Sequence, residues 1–286
     1  MKVKKAVILA AGFGTRMLPA TKAVPKEMLN IVDKPAIQYI VEELAASEIT
    51  DILIVLGRGK HAVEEHFDRI PELENALIQK NKSLYDEIVA ISEIADITYV
   101  RQREIKGTGN AVLYAKTFAG SEPFVVIYPD DIMVSKTPVT AQICRAYEKY
   151  GAGAVAMKEF SAEDIVKYSS LDAKPLDGNI YKVSDMVEKP QKHEVFTNFS
   201  ILGRCVLPAK IFSLLEQTEP GLGGEIWLTD AMKRLAREEG MLGVDFEGIR
   251  YDTGNKLGFL KATTELGLQN REIGTAFKEY LKEIIK

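Results

Sequence analysis

Four short clusters in this chain combine charge with backbone freedom in ways suited to handling phosphate. The first is Ala11-Gly12-Phe13-Gly14-Thr15-Arg16, followed by Lys22 and Lys26. Glycine at 12 and 14 permits φ > 0 and lets backbone amides approach a ligand closely. Successive amides make a concave anion site, and Arg16, Lys22 and Lys26 set positive charge beside it. The second cluster is Asp130-Asp131, placed by the apolar run from Phe124 to Ile127. Mg²⁺ favours one or two carboxylates completed by phosphate oxygens and water, so this pair beside a triphosphate cradle reads as a metal post. The third is Glu188-Lys189, a carboxylate and an ammonium at a strand end, and the fourth is the Asp252-Thr253-Gly254 turn. In isolation the last two would be a surface pair and an Asx-type turn.

Spacing narrows the possibilities. A dinucleotide site of the usual kind needs G-x-G-x-x-G and an acidic residue some 20 positions on, but Met17 occupies the place of the third glycine. No G-K-[ST] follows, so the P-loop pattern is also excluded. The loop has the composition of a phosphate site without the spacing of the two commonest ones.

The elements needed to position these clusters can be read from periodicity. Ala6 to Leu9 is a short apolar run ended by small residues, the pattern of a buried parallel strand. Helical spacing follows Pro35 over residues 37–45, a second buried strand covers 51–57, and another helix starts at His61. This alternation predicts a parallel sheet covered on both faces. Residues 68–95 read as a solvated helical excursion, and Ile97 to Gln102 as a third strand. Residues 138–150 read as helix and 153–157 as strand. Shorter strands then follow, with a hairpin at Asp177-Gly178. A helix is expected from Thr229 to Glu239 and a helical segment over 257–286. The fold class is therefore α/β, a doubly wound, mixed and mostly parallel sheet with β elements inserted in its later half. One domain is expected over 1–286, with a nucleotide-binding half to about 157 and a sugar-binding half over about 158–256.

Bulk properties exclude other classes. The 286 residues are 46% hydrophobic and 27% charged with a net charge of −4, ordinary for a soluble globular protein. No sustained basic run marks a nucleic-acid binder. Cys144 and Cys205 form no metal-like cluster and suit a reducing compartment. The basic start followed by a short apolar run imitates a secretory leader, but Arg16, Lys22, Lys26 and Glu27 follow at once. A cytoplasmic protein with no membrane span is expected.

The run Gly12-x-Gly14-Thr15-Arg16-x-Leu18-Pro19-x-Thr21-Lys22-x-x-Pro25-Lys26-Glu27-Met28-Leu29 resembles the signature of bacterial sugar-1-phosphate nucleotidyltransferases, most closely those acting on UTP and glucose 1-phosphate. Later motifs extend the resemblance over nearly the whole chain. It implies that Ala11, Gly12, Gly14 and Thr15 bind the nucleotide and that Arg16 and Lys26 hold the β- and γ-phosphates. Gln102 would read the uracil edge, a role its donor and acceptor suit, and Gly107 would leave room for the base. The resemblance makes Asp130, with Asp252, the Mg²⁺ site. It assigns Glu188, Asn198 and the Ser169 position to the sugar, and Lys189 to its phosphate. It also implies a homo-oligomer, dimer or tetramer.

Departures fall mainly on the sugar side. Tyr168-Ser169-Ser170 stands where the family usually has Tyr-Gly-Val, Cys205 where it has Tyr, and Trp227 where it tends to have Gln. Thr108 and Asn110 also differ from the usual K-G-L-G-H-A loop. Rival readings are a nucleotidyltransferase using dTTP or another sugar 1-phosphate, and a non-catalytic sugar-nucleotide binder. The glycine spacing leaves an NAD(P)-dependent oxidoreductase a poor third.

Overall fold

The computed structural model describes residues 1–285. Strand β1 (Lys5–Ala10) is buried at every position after its first. Ala6, Ile8 and Ala10 enter one hydrophobic cluster, and Val7 and Leu9 enter the other. A strand sends alternate residues to opposite faces, so a continuous apolar run requires cover on both sides, and both clusters provide it.

The chain continues through the small hairpin β2 (Asn30–Ile31) and β3 (Lys34–Pro35) into α1 (Ala36–Ala46), then β4 (Asp51–Leu56) and α2 (His61–Phe67). Next come α3 (Pro71–Ile78), α4 (Lys82–Ser92), β5 (Asp96–Arg101), α5 (Gly107–Leu113), α6 (Lys116–Ala119) and β6 (Phe124–Ile127). They are followed by β7 (Asp131–Val134), α7 (Val139–Tyr150), β8 (Gly153–Glu159), β9 (Ser169–Asp177), β10 (Ile180–Glu188) and β11 (Phe199–Leu207). The remaining elements are α8 (Lys210–Glu216), α9 (Leu228–Glu239), β12 (Met241–Asp245), β13 (Ile249–Asp252), α10 (Lys256–Gln269) and α11 (Gly274–Ile284).

Nine strands form one sheet in the order β5-β4-β1-β6-β11-β8-β12-β10-β9. Strands β10 and β11 run against the other seven, which makes the sheet mixed and mostly parallel. From β1 the chain winds outward through β4 and β5, then returns to place β6 on the other side of β1. The winding reverses between β1 and β6, and ligands of open α/β sheets bind beyond the carboxyl ends of strands at such a point.

Helix α9 buries Leu228, Ala231, Met232, Leu235 and Ala236, the spacing of one helical face. The excursion over 68–95 is α3 and α4, largely solvent-facing, with Asn81 capping α4 through Leu84 N–H at 3.1 Å. The C-terminal segment is two helices. Asn270 Oδ1 accepts from the amides of Glu272 and Ile273 and turns the chain between them. Lys286, the last residue of that expected segment, lies outside the described residues. Strands β7 and β13 form a separate antiparallel ribbon that sets Asp252 opposite Asp131. Among the described residues no helix is long and apolar enough to cross a membrane.

Candidate active site

The loop after β1 has the geometry its glycines allow. Gly14 has φ 68° and starts a 3-10 turn over Thr15–Met17, and its carbonyl accepts from Thr21 Oγ1 at 2.8 Å. A Cβ at Gly14 would come within 3.1 Å of Lys26 Cβ, so the loop folds tightly onto the lysine. At Gly12 a Cβ would meet nothing within 4 Å, leaving open space above the backbone. Ala11 is buried, and its carbonyl lies 2.4 Å from where a Cβ on Gly57 would sit. Thr15 and Lys22 face solvent. Of the three expected cations, the structure draws Arg16 and Lys26 together on one carboxylate and leaves Lys22 apart.

That carboxylate is Asp130, just beyond β6 and across the switch point from the loop. Its Oδ2 accepts from Lys26 Nζ at 2.9 Å and from Arg16 Nη2 at 3.1 Å. Burial pushes the Asp130 carboxyl up, but Lys26 and Arg16 outweigh it and hold the group below the usual carboxylate range. Lys26 is raised despite its burial, because Asp130 and Glu27 favour its charged form. The Asp130 carbonyl is pinned by Thr253, which donates N–H at 2.8 Å and Oγ1–H at 3.0 Å.

Asp131 has a different role. Its Oδ1 takes Nε of Arg250 at 2.6 Å, and Arg250 Nη2 lies 3.7 Å from Asp252. Burial pushes the Asp131 carboxyl up to about 6, against the opposing pull of Arg250. Beneath it Arg204, fully buried, donates to Asp131 O at 2.9 Å and to Glu43 Oε2 at 2.6 Å. Glu43 Oε1 also accepts from Thr140 N and Oγ1, at 3.0 and 2.6 Å. One ion pair therefore ties α1, α7, β11 and the start of β7 under the carboxylates.

The two expected metal ligands share one spot. A Cβ on Gly254 would lie 2.7 Å from Asp130 Oδ2, 3.1 Å from Asp252 Oδ1 and 2.6 Å from Arg16 Nη2. Only the missing side chain keeps this space clear between the two carboxylates. Among the described residues no three His, Cys, Asp or Glu side chains gather into a metal cage. Two convergent carboxylates with open room suit Mg²⁺, which keeps waters and takes phosphate oxygens.

On the far side of the loop, Gln102 follows β5 and is 3% exposed, with its amide donating to Asn110 Oδ1 at 2.8 Å. Gly107 has φ 90°, and a Cβ there would strike Ile226 O at 2.6 Å. The tight fit that requires this glycine is against the backbone at 225–226, a packing reason separate from the room expected for a base.

On the sugar side, Glu188 ends β10 and accepts from Thr229 Oγ1 at 3.0 Å. Burial raises its pKa, against the pull of Thr229 and Lys189. Lys189 stands in the left-handed region at φ 46°, its amide donating to Tyr168 O at 2.7 Å. Its side chain is exposed, with Nζ 5.7 Å from the centre of the Trp227 ring. Asn198 is half-buried, and its carbonyl accepts from Phe160 N at 2.9 Å. Ser169 departs from expectation. It is 4% exposed, its hydroxyl meets Ser200 Oγ at 3.0 Å, and it accepts from Ile201 N at 3.1 Å. This hydroxyl stitches β9 to β11, so a sugar contact at this position falls to the backbone.

A family model of nucleotidyl transferases matches residues 5–268. The chain belongs to the nucleotidyl transferase family. Over 286 residues this nucleotidyl transferase is 49% identical to the UTP–glucose-1-phosphate uridylyltransferase YngB of Bacillus subtilis (strain 168), covering 100% of the chain and 96% of that relative. A UDP-glucose pyrophosphorylase solved with UDP-glucose superimposes with a TM-score of 0.85 at 38% identity, covering 94% of this chain and 100% of the other. The UTP-bound enzyme of Acinetobacter baumannii gives 0.90 at 36% identity, over 99% of both chains.

Proposed function

We propose that this nucleotidyl transferase moves the uridylyl group of UTP to glucose 1-phosphate, giving UDP-glucose and pyrophosphate. The convergence of Arg16, Lys26 and Asp130 at the switch point carries the reading, in a chain 49% identical to a uridylyltransferase. A sugar-phosphate oxygen attacks the α-phosphorus in line and pyrophosphate leaves opposite. A phosphate monoester has its second pKa near ~6, so the nucleophile is ionised at neutral pH and no general base is needed. Rate then comes from positioning and charge neutralisation.

Arg16 and Lys26 exchange their carboxylate partner for the β- and γ-phosphates and stabilise the departing pyrophosphate. Lys189 holds the sugar phosphate, Gln102 faces the uracil edge, and Glu188 and Asn198 face sugar hydroxyls. Asp130 and Asp252 would hold Mg²⁺, which when bound supplies positive charge to the phosphates. We also place the protein in the cytoplasm, where the free thiols of Cys144 and Cys205 are at home. Exposed apolar side chains on the C-terminal helices, Leu260, Tyr280 and Ile284 among them, support a homo-oligomer. A one-chain mass by light scattering would overturn that assignment.

The test of the reaction is Mg²⁺-dependent pyrophosphate release over a grid of four nucleoside triphosphates and several sugar 1-phosphates. A dominant signal with UTP and glucose 1-phosphate is expected. A different dominant pair would replace the substrates, and silence across the grid would refute catalysis.

A further inference from the structure

Residues 225–229 join the two substrate sides of the site. Toward the nucleotide side, Ile226 N donates to Lys106 O at 2.9 Å, Ile226 O accepts from Gly109 N at 2.8 Å, and Leu228 N donates to Thr108 Oγ1 at 3.1 Å. Toward the sugar side, Thr229 bonds Glu188 at 3.0 Å, and the Trp227 ring lies under the Lys189 ammonium. Trp227 is itself oriented, its Nε1 donating to Glu225 Oε2 at 3.1 Å.

We infer that Trp227 is a positioning residue for Lys189, holding the ammonium beside the site of the sugar phosphate. The inference rests on the reading of Lys189 as the sugar-phosphate ligand. The backbone of Lys189 is held by Tyr168, but its four-carbon stem is exposed and would otherwise sample many rotamers. A ring face attracts the ammonium on one side and competes for none of its three N–H donors, so phosphate meets a lysine already gathered in place. Because residues 225–229 are bonded to the 106–109 loop, the position of the ammonium is referred to the loop beside the nucleotide.

The test compares Trp227→Gln, which keeps an N–H donor for Glu225 but loses the ring, with Trp227→Phe, which keeps a ring. Trp227→Gln should raise KM for glucose 1-phosphate about two- to five-fold, the size of one exposed cation–π contact, with KM for UTP unchanged. Trp227→Phe should restore most of the loss. An unchanged KM for glucose 1-phosphate, or an equal rise in both KM values, would overturn the inference. A second measurement needs no substrate. Trp227 is the only tryptophan in the sequence, so indole emission of the whole protein reports this contact alone. Lys189→Met should shift or brighten that emission, and identical spectra would overturn the contact. Failure of the substrate grid would instead overturn the reaction, leaving the emission result standing.

Discussion

Gly254→Ala is the sharpest perturbation of the shared cradle. The added methyl would lie 2.6 Å from Arg16 Nη2, 2.7 Å from Asp130 Oδ2 and 3.1 Å from Asp252 Oδ1, and the first two distances cannot stand. Arg16 is 62% exposed and can swing away. Asp130 has less freedom, because its carbonyl is pinned by Thr253 and its carboxylate by Lys26. The carboxylate must therefore rotate, weakening one charge-assisted hydrogen bond worth about 1.5–3 kcal/mol. At about 1.36 kcal/mol per decade of rate, kcat/KM should fall roughly ten- to 150-fold. Gly254 does not have a positive φ, so alanine adds no backbone strain and the protein should fold with little change in Tm. The assay is pyrophosphate release against Mg²⁺ concentration, with Mn²⁺ binding followed by electron paramagnetic resonance. Wild-type kcat/KM with an unchanged Mg²⁺ midpoint would refute the shared cradle.

Three further outcomes are expected. Asn110 takes the Gln102 amide N–H, which turns the Gln102 oxygen toward a ring N–H such as that of uracil. Asn110→Asp should then keep the preference for UTP over CTP and Asn110→Ala should reduce it about tenfold, whereas equal ratios would remove Asn110 from base reading. His66 meets Gln38 at 3.0 Å, and burial depresses its pKa. The stability it contributes is present above the unfolded value of about 6.5 and lost as pH falls through the lower folded value; His66→Gln should flatten urea stability between about pH 7 and 5, and a parallel pH profile would disprove this. Burial pushes the thiols of Cys144 and Cys205 up to about 12, so Ellman's reagent at pH 8 should find neither in the native protein and both in denaturant.

The parts of this site that could be read from sequence are those where the side chain and its reason lie within a few residues. Arg16, Lys26 and Asp130 stand at the ends of apolar runs that could only be central strands, and strand ends at a switch point fall together. The ribbon of β7 and β13 was not legible, because each strand has four residues and too little alternation to register. Without it, Arg250 gave no sign of meeting Asp131, and Gly254 looked like a turn residue rather than the gap between two carboxylates. Gly107 was placed correctly in a ligand-side loop, yet the contact that demands glycine comes from Ile226, 119 residues away by the numbering. Ser169 looked like a candidate sugar contact because it replaces glycine in a motif. Its partner Ser200 belongs to another strand, and sequence spacing does not pair strands.

The buried Arg204–Glu43 pair sets terms for how this chain can vary. The two residues are 161 positions apart, and neither side chain has access to water in which to shed its charge. Replacing one strands the other, at about 3–5 kcal/mol, a large share of the ~5–15 kcal/mol by which a domain is usually stable. Substitution by similarly sized apolar residues at both positions together avoids that cost, but it would leave the carbonyl of Asp131 without its donor. The pair therefore behaves as a single inherited character: a lineage can keep it or lose it whole, and losing it loosens the residue next to Asp130.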